Sequence, residues 1–583
     1  MLMHSIAHAL PRLRRLAITL VPLLALALIV AGCVGPSIRS QSPEMAALME
    51  LDADVKLVGD YASAWGVLPQ RVESAALVTN LPNTGSDPPP SPQRTALMND
   101  IQARGVVEPN RLLASPSTSL VWVRGFIPPG VRRGERFDIF IEVPAGNDTE
   151  NLAGGWLMET RLSEMAVLDR IRDGHVVAVA EGPLLVDPVA STALDAKTKV
   201  RAIVPGGGVS LKSRSLGLVL QPEHRSVAVS KRLGDTINRR FHAVIRGSKR
   251  GVATPKTDRF IELEIPPEYE HHLDRYVRVV RCLAVNEPAG GRLTRLEMLS
   301  RQLADPVTAP AAALRLEAIG EDAIPTLRKG LESGDDEVRF HAAEALAYLG
   351  ESTVAPYLAE AAAELRSARP AALAALEVLD DANGIEALES LLSSASAETR
   401  YGAFRTLWKM DRTMPTVRGE PLADGFYLHV LDVEGPPLVH ATRHVRPEIV
   451  LFGVEHPIDD GLRAEAGNRI VVSTEDGTAR ISCFTPGADD QQVECPARVE
   501  DVIRGIADVG GTYPDAVQFL QQAYSLRTLR SRLVFDAIPD AFDGRKSIHE
   551  EVSSQDIEEE IEADVDAGVP ISATDSTGND VES

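Results

Sequence analysis

Between about Leu51 and Leu283, short apolar runs alternate with polar positions and are cut by Pro and Gly, the pattern of a β-rich region. Leu120-Val121-Trp122-Val123, Phe137 to Val143, Val176 to Ala180 and Leu216 to Leu220 read as strands. Two stretches change period. Pro92 to Ala103 has helical spacing, and Val229, Leu233, Ile237 and Phe241 recur every fourth position, on one face of a helix. From about Ala311 to Asp411 the chain turns rich in Ala and Leu and predicts helices. Ile324, Val354 and Ile385 recur there in like contexts, and Arg339, Arg369 and Arg400 recur with them at spacings of 30 and 31. Strands return at Tyr427 to Val433, Ile449 to Phe452, Ile470 to Ser473 and Ala479 to Phe484. Helices follow at Val499 to Val509 and Asp515 to Leu529, the second opened by Tyr513-Pro514-Asp515.

Ahead of these elements, Arg12, Arg14 and Arg15 precede an apolar run, Leu16 to Gly32, that ends Val30-Ala31-Gly32-Cys33. Charge, apolar stretch and small residues in that order make an export signal. It resembles the bacterial lipoprotein box, in which the cysteine sulfur receives a diacylglyceryl group, and so implies lipidation of Cys33. The other reading is an uncleaved anchor, although seventeen residues interrupted by Pro22 fall short of the roughly 20 that span a bilayer. On either reading the rest of the chain is exported.

The net charge of -23 is unevenly spread, because twelve acids, Glu550 through Glu582, follow the last basic residue, Lys546. Such a segment, without aromatics, predicts a disordered tail. No dense basic patch offers itself to phosphates, which argues against a nucleic-acid partner. Of four cysteines, Cys483 and Cys495 are the candidate disulfide, since turn signals at Glu475-Asp476-Gly477 and Pro486-Gly487 suit a hairpin or meander joining them. Two free thiols fit the sequence equally well.

Within the β-rich region, a series of small signals resembles the flagellar P-ring protein family. Arg71-Val72-Glu73, Leu77 to Leu81 and Asn83-Thr84-Gly85-Ser86-Asp87 come first. Ile127-Pro128-Pro129-Gly130, Gly134 to Asp138, Leu152-Ala153-Gly154-Gly155-Trp156-Leu157 and Ala178 to Leu184 come next, and Gly206-Gly207-Gly208-Val209 precedes the helix from Ala228 to Phe241. Their common order, over about 180 residues, carries the likeness. It implies an exported, non-enzymatic subunit that assembles into a ring around the flagellar rod. The chain departs from the family in its lipid-type cysteine, in Ala75 and Ala76 where glycines are usual, and in its C-terminal half. The Ala311 to Asp411 stretch resembles HEAT-like repeats, helix pairs that stack because no single pair buries its apolar face; about three and a half fit.

Catalytic chemistry finds little support. His429, His440, His444 and His456 invite a metal, yet the residues around His440 and His444 read as strand and turn, and structural histidines are expected. The adjacent His271 and His272 should point apart. Pro205-Gly206-Gly207-Gly208 lacks the ending of a phosphate loop. The arginine column of Arg339, Arg369 and Arg400 is expected to bond loop carbonyls and carboxylates rather than a ligand. No cofactor and no metal are expected.

The chain is therefore read as multidomain: a signal peptide at 1–32, a tether at 33–50, a P-ring-like β-rich α+β domain at 51–283 and a linker or helical cap at 284–310. An α-solenoid of HEAT-like repeats at 311–412, an α+β module at 413–545 and a disordered acidic tail at 546–583 complete it. The expected role is a lipid-anchored ring or bushing subunit of the basal body, in contact with the rod and other basal-body proteins. Copies would join through strand edges and apolar patches of the β-rich domain, and the repeats would face another envelope component. The alternative is an envelope scaffold for a non-flagellar complex.

Overall fold

Antiparallel pairing dominates the first region of the computed structural model, which describes residues 55–537 except 169, 187–198, 246–247, 288, 423–424, 486 and 488. The signal, Cys33, the tether and the acidic tail lie outside the described residues. Residues 289–298 group into one compact unit; Lys56–Glu287 and Leu299 onward form the other, which holds every described strand.

After β1 (Ala62–Trp65) come β2 (Gln70–Thr79), helix α1 (Pro92–Ala103), the short α2 (Pro109–Leu113), β3 (Ser119–Ile127), β4 (Arg136–Glu142), β5 (Trp156–Leu168), β6 (Arg170–Pro183), β7 (Leu185–Val186) and β8 (Arg201–Ser210). The sheet runs β4-β3-β2-β5-β6-β8, and β4 pairs again with β8, Phe140 opposite Ile203. Six strands therefore close into a barrel. Register shifts between Glu73 and Val78 on β2 and between Phe137 and Ile139 on β4 supply the local bends. The interior is apolar, with Val72, Val121, Val123, Ile139, Leu162 and Val204 buried together. Phe137 fills the space that Gly125 and Gly208 leave: a Cβ on either would come within 2.5 and 2.8 Å of its ring. Closure is confined to part of each strand: β6 meets β8 over Ala178 to Ala180, while β5 from Met165 to Leu168 pairs with β6 from Arg170 to Asp173 as a hairpin that extends past the barrel and keeps free edges.

A second sheet, β1-β9-β13-β12, uses β9 (Leu216–Leu220), β12 (Ala253–Pro255) and β13 (Phe260–Leu263), with a hairpin of β10 (His242–Ile245) and β11 (Ser248–Gly251) between. Helix α3 (Val227–Arg240), capped by the Ser226 hydroxyl, packs on β12 and buries Leu233 and Ile237. Helix α4 (Leu273–Arg281) ends the region.

After α5 (Ala289–Leu303), the solenoid stacks two layers. Helices α6 (Ala309–Ile319), α8 (Asp336–Tyr348), α10 (Arg369–Val378) and α12 (Ala397–Met410) form one layer; α7 (Ile324–Gly330), α9 (Ala355–Glu364) and α11 (Ala382–Leu391) form the other. Asp335, Asp381 and Ser396 cap α8, α11 and α12. The first layer is buried on nearly every side, unlike the outward half of a free solenoid.

The last module joins a mixed sheet and a meander. The sheet runs β14 (Gly419–Pro421), β15 (Tyr427–Leu431), β17 (Glu448–Phe452), β16 (Leu438–Ala441), β22 (Arg532–Phe535). The meander is β18 (Arg463–Ala466), β19 (Ile470–Glu475), β20 (Thr478–Cys483) and β21 (Gln491–Pro496). Helices α13 (Val499–Asp508) and α14 (Tyr513–Ser525) complete one core with both sheets, and Leu185 from β7 belongs to it.

Candidate functional site

Strand alternation gives the barrel an outer face of mixed character. On β3 the inward Val121 and Val123 are buried, while Trp122, Arg124 and Phe126 point out and are partly exposed. Helices α1 and α2 cover part of this face: Leu97, Ile101 and Leu113 pack on Leu77 and Leu120. The rest is open. Trp122 stands opposite Ala75 on β2 and is the wall between two cavities. One, of about 620 Å³, is lined by Ala75, Leu97, Ile101 and the 44% exposed Met158; the other, of about 320 Å³, by Arg124, Phe140 and Arg201. Phe126 extends the aromatic stripe by meeting Phe140 edge-on, centroids 6.2 Å apart. Glu73 takes ion pairs from Arg71 and, at 3.0 Å, from Arg124; Glu142 takes one from Arg201 at 2.7 Å.

The buried solenoid layer meets the chain itself. Arg275 of α4 pairs with Glu317 of α6 at 2.5 Å and with Glu344 of α8, and its guanidinium lies 4.4 Å over the Tyr348 ring. The Tyr269 hydroxyl donates to Glu317 at 2.7 Å. Burial holds Glu317 above the ordinary carboxylate range despite Arg275. Burial would raise Glu344 as well, but Arg275 and His341 outweigh it and hold its pKa down at about 2. Beside this cluster, Glu377 of α10 accepts from His271 at 2.9 Å and Lys409 at 3.0 Å, with His272 at 3.8 Å. Burial opposes its charge, and the hydrogen bond from His271 with the Lys409 charge still brings its pKa to about 2. His271 and His272 thus converge on one carboxylate, against expectation, because they sit in the turn before α4 rather than in a helix or strand.

On the far side, the module docks on α12. Tyr401 donates to Glu448 at 2.7 Å, Arg446 lies 3.7 Å over the Trp408 ring, and Phe404 meets His429 and Phe452. His444 bonds Asp138 of the barrel at 3.1 Å. One layer of the solenoid is thus largely occupied by the chain's own domains.

The arginine column bonds carbonyls and a carboxylate of the chain. Arg339 donates to Ser333 O at 3.1 Å, Arg369 to Ala362 O at 2.8 Å and to Glu398 at 2.6 Å, and Arg400 to Leu392 O and Pro436 O, both at 2.7 Å. The histidines scatter. His429 faces Val417 O, His440 receives the Ala537 N–H, and His456 meets Ser531. Among the described residues no group of three or more His, Cys, Asp or Glu is placed to hold a metal. Cys483 and Cys495 lie on neighbouring strands but out of step: Cys483 opposes Gln491 and Cys495 opposes Ala479, and both thiols are free. The candidate disulfide is not made. No helix among the described residues is long and apolar enough to cross a membrane.

Residues 58–293 match the family of the flagellar P-ring protein, and residues 294–377 match HEAT repeats. The first span ends just after the barrel, its second sheet and α4. Flagellar P-ring proteins from Nitrosospira multiformis, Photorhabdus laumondii and Escherichia coli are 25, 26 and 27% identical to the chain over 248, 256 and 253 residues. Those alignments cover 40, 42 and 41% of this chain and 61, 64 and 64% of the relatives. The chain therefore spans a little under two thirds of the length of these curated relatives. Flagellar P-ring proteins are structural rather than enzymatic, in line with the sequence reading.

Proposed function

We propose that this protein is a structural subunit of the flagellar basal body P ring, exported to the cell envelope and tethered there by lipid on Cys33. The observation that carries the reading is the coincidence of the P-ring family match with an intact closed barrel, its second sheet and α4. A closed barrel suits a bushing, because a sheet closed on itself is stiff and keeps its shape. The solenoid and the last module act as a brace: buried ion pairs tie α4 to α6 and α8, the turn before α4 bonds Glu377 of α10, and the module grips both α12 and the barrel. The partners are further copies in a closed ring, the rod, other basal-body proteins and a membrane reached through the lipid.

Mass spectrometry and electron microscopy of detergent-isolated basal bodies, from cells making the tagged full chain, test this. A stoichiometric, rod-encircling ring containing the protein is expected. Intact basal-body rings without it would overturn the reading. The size of the region beyond residue 293 that docks on the barrel favours a second reading, a lipid-anchored scaffold of a non-flagellar envelope complex. Deletion with unchanged motility would support that one.

A further inference from the structure

We propose that the acidic tail beyond Lys546 docks on the two guanidiniums stacked on Trp408, at the seam between the solenoid and the last module. Arg412 follows the end of α12 and Arg446 lies in the turn between β16 and β17; they sit 4.3 and 3.7 Å over the Trp408 ring. Stacking occupies the face of a guanidinium and leaves its N–H edges free to fork onto a carboxylate. Arg412 is exposed and Arg446 partly so, and among the described residues neither takes part in an ion pair. Asp411, next to Arg412, bonds Thr413 instead, and Glu448 is 2% exposed and accepts from Tyr401. Positive charge is left in excess here. Burial, with Arg405 and Arg412 nearby, pulls Arg446 down to about 10, and Arg405 Nε is buried without an acceptor.

Position and charge select the occupant. The described residues end at Ala537, whose N–H bonds His440, and Asp536 before it already pairs with Arg443 and accepts the Arg443 backbone N–H at 2.8 Å. Arg446 is three residues on from Arg443, within roughly 11 Å along the chain. Glu550, the first of twelve acids with no base after Lys546, comes thirteen residues past Ala537. Thirteen residues of coil reach roughly 20 Å, enough to cover that distance. From Asp556 to Asp566 seven of eleven residues are acids, so every register of that stretch offers carboxylates to two adjacent guanidiniums. Tethering at such a distance holds those carboxylates at a roughly millimolar local concentration, which favours the chain's own tail over that of a second copy.

The test puts a photo-crosslinker in place of Ile561 in the full chain, in detergent, using a mixture of isotope-labelled and unlabelled copies. A link within one copy to the segments around Trp408 and Arg446 is expected. Its yield should fall about fivefold or more when Arg412→Gln and Arg446→Gln are combined, and also in about 1 M salt. Protection of the tail from a glutamate-specific protease should weaken with it. Urea unfolding checks that the variants fold, and Arg412→Gln alone, at an exposed position, separates lost docking from a weakened seam. Yield and protection that neither the substitutions nor salt change would overturn the proposal. So would a link that lands elsewhere on the chain, or no link together with no protection. A link only between differently labelled copies would overturn the choice of the chain's own tail.

Discussion

Tyr401 lies flat against His440, ring centroids 3.6 Å apart and planes 21° from parallel. One ring belongs to the last solenoid helix and the other to the central sheet of the last module, so the stack is part of the seam between them. The neutral imidazole accepts the Ala537 N–H at Nε2, 3.0 Å away. Protonation would remove that lone pair inside a dry seam.

Acid should therefore loosen the fold before the carboxylates titrate. Burial pushes the pKa of His440 down to about 3 and that of His272 to about 4, against an ordinary value near 6.5. The unfolded chain takes up these protons first as pH falls, so the stability is full above about pH 6.5 and is lost progressively below it. Glu344 and Glu377, held at about 2, add their losses only below about pH 4.5. Between pH 7 and pH 5 each of the two histidines should cost on the order of 1–2 kcal/mol. Urea unfolding across that range should show the decline. His440→Gln, which keeps an acceptor for Ala537, should flatten it, and an unchanged slope would exclude His440 as a source.

Arg275 holds two buried acids, and its removal should be costly. Glu317 is fully buried and Glu344 nearly so. Arg275→Met leaves both without their cation, and about 3–5 kcal/mol should be lost in denaturant unfolding. Adding Glu317→Gln and Glu344→Gln should restore much of it, because no uncompensated charge remains. A variant that lost nothing would mean that α4 is not held by this cluster.

Local signals were legible and distant pairings were not. Helix α1 starts and stops at Pro92 and Ala103 as its sequence predicts, because the Ser91 hydroxyl caps it and Pro92 suits its first turn. The repeat was legible in Arg339, Arg369 and Arg400, whose bonds reach carbonyls six to eight residues back. Barrel closure depends on β4 meeting β8, and no periodicity within either strand encodes that partner. The Arg275–Glu317 pair spans 42 residues and His444–Asp138 spans 306, so neither leaves a mark in local spacing. The outward Trp122 was visible as strand alternation, but which side of the sheet stays open depends on where α1 and α2 pack.

The arginine column should separate by depth rather than by ligand. Arg400 is 2% exposed and closes a loop carbonyl, Leu392 O, while reaching Pro436 O of the module. Arg400→Ala strands those acceptors, and about 2–3 kcal/mol should disappear in thermal or urea unfolding. Arg339 keeps 22% of its side chain exposed and pairs with Asp336 at the surface, so Arg339→Ala should cost less than about 1 kcal/mol. Equal effects at the two sites would contradict their different burial.

The thiols of Cys483 and Cys495 should remain reduced even under oxidising conditions. Their opposing residues set them four positions apart along the β20–β21 ladder. At about 3.3 Å per residue that is roughly 13 Å, twice the roughly 7 Å beyond which two cysteines cannot be bridged. Burial, with Asp501 nearby, also lifts the Cys495 thiol to about 11, which leaves little thiolate to attack a disulfide. Unfolding of the oxidised protein should therefore be indifferent to reductant, and Cys483→Ser with Cys495→Ser should leave that indifference unchanged. A linked Cys483–Cys495 peptide in a non-reducing digest of the native protein would require the two strands to pair in a different register. The core formed by Ile481 and α13 would then have to be rebuilt, because a shift of β21 would move Cys495 away from its place beside Gly505.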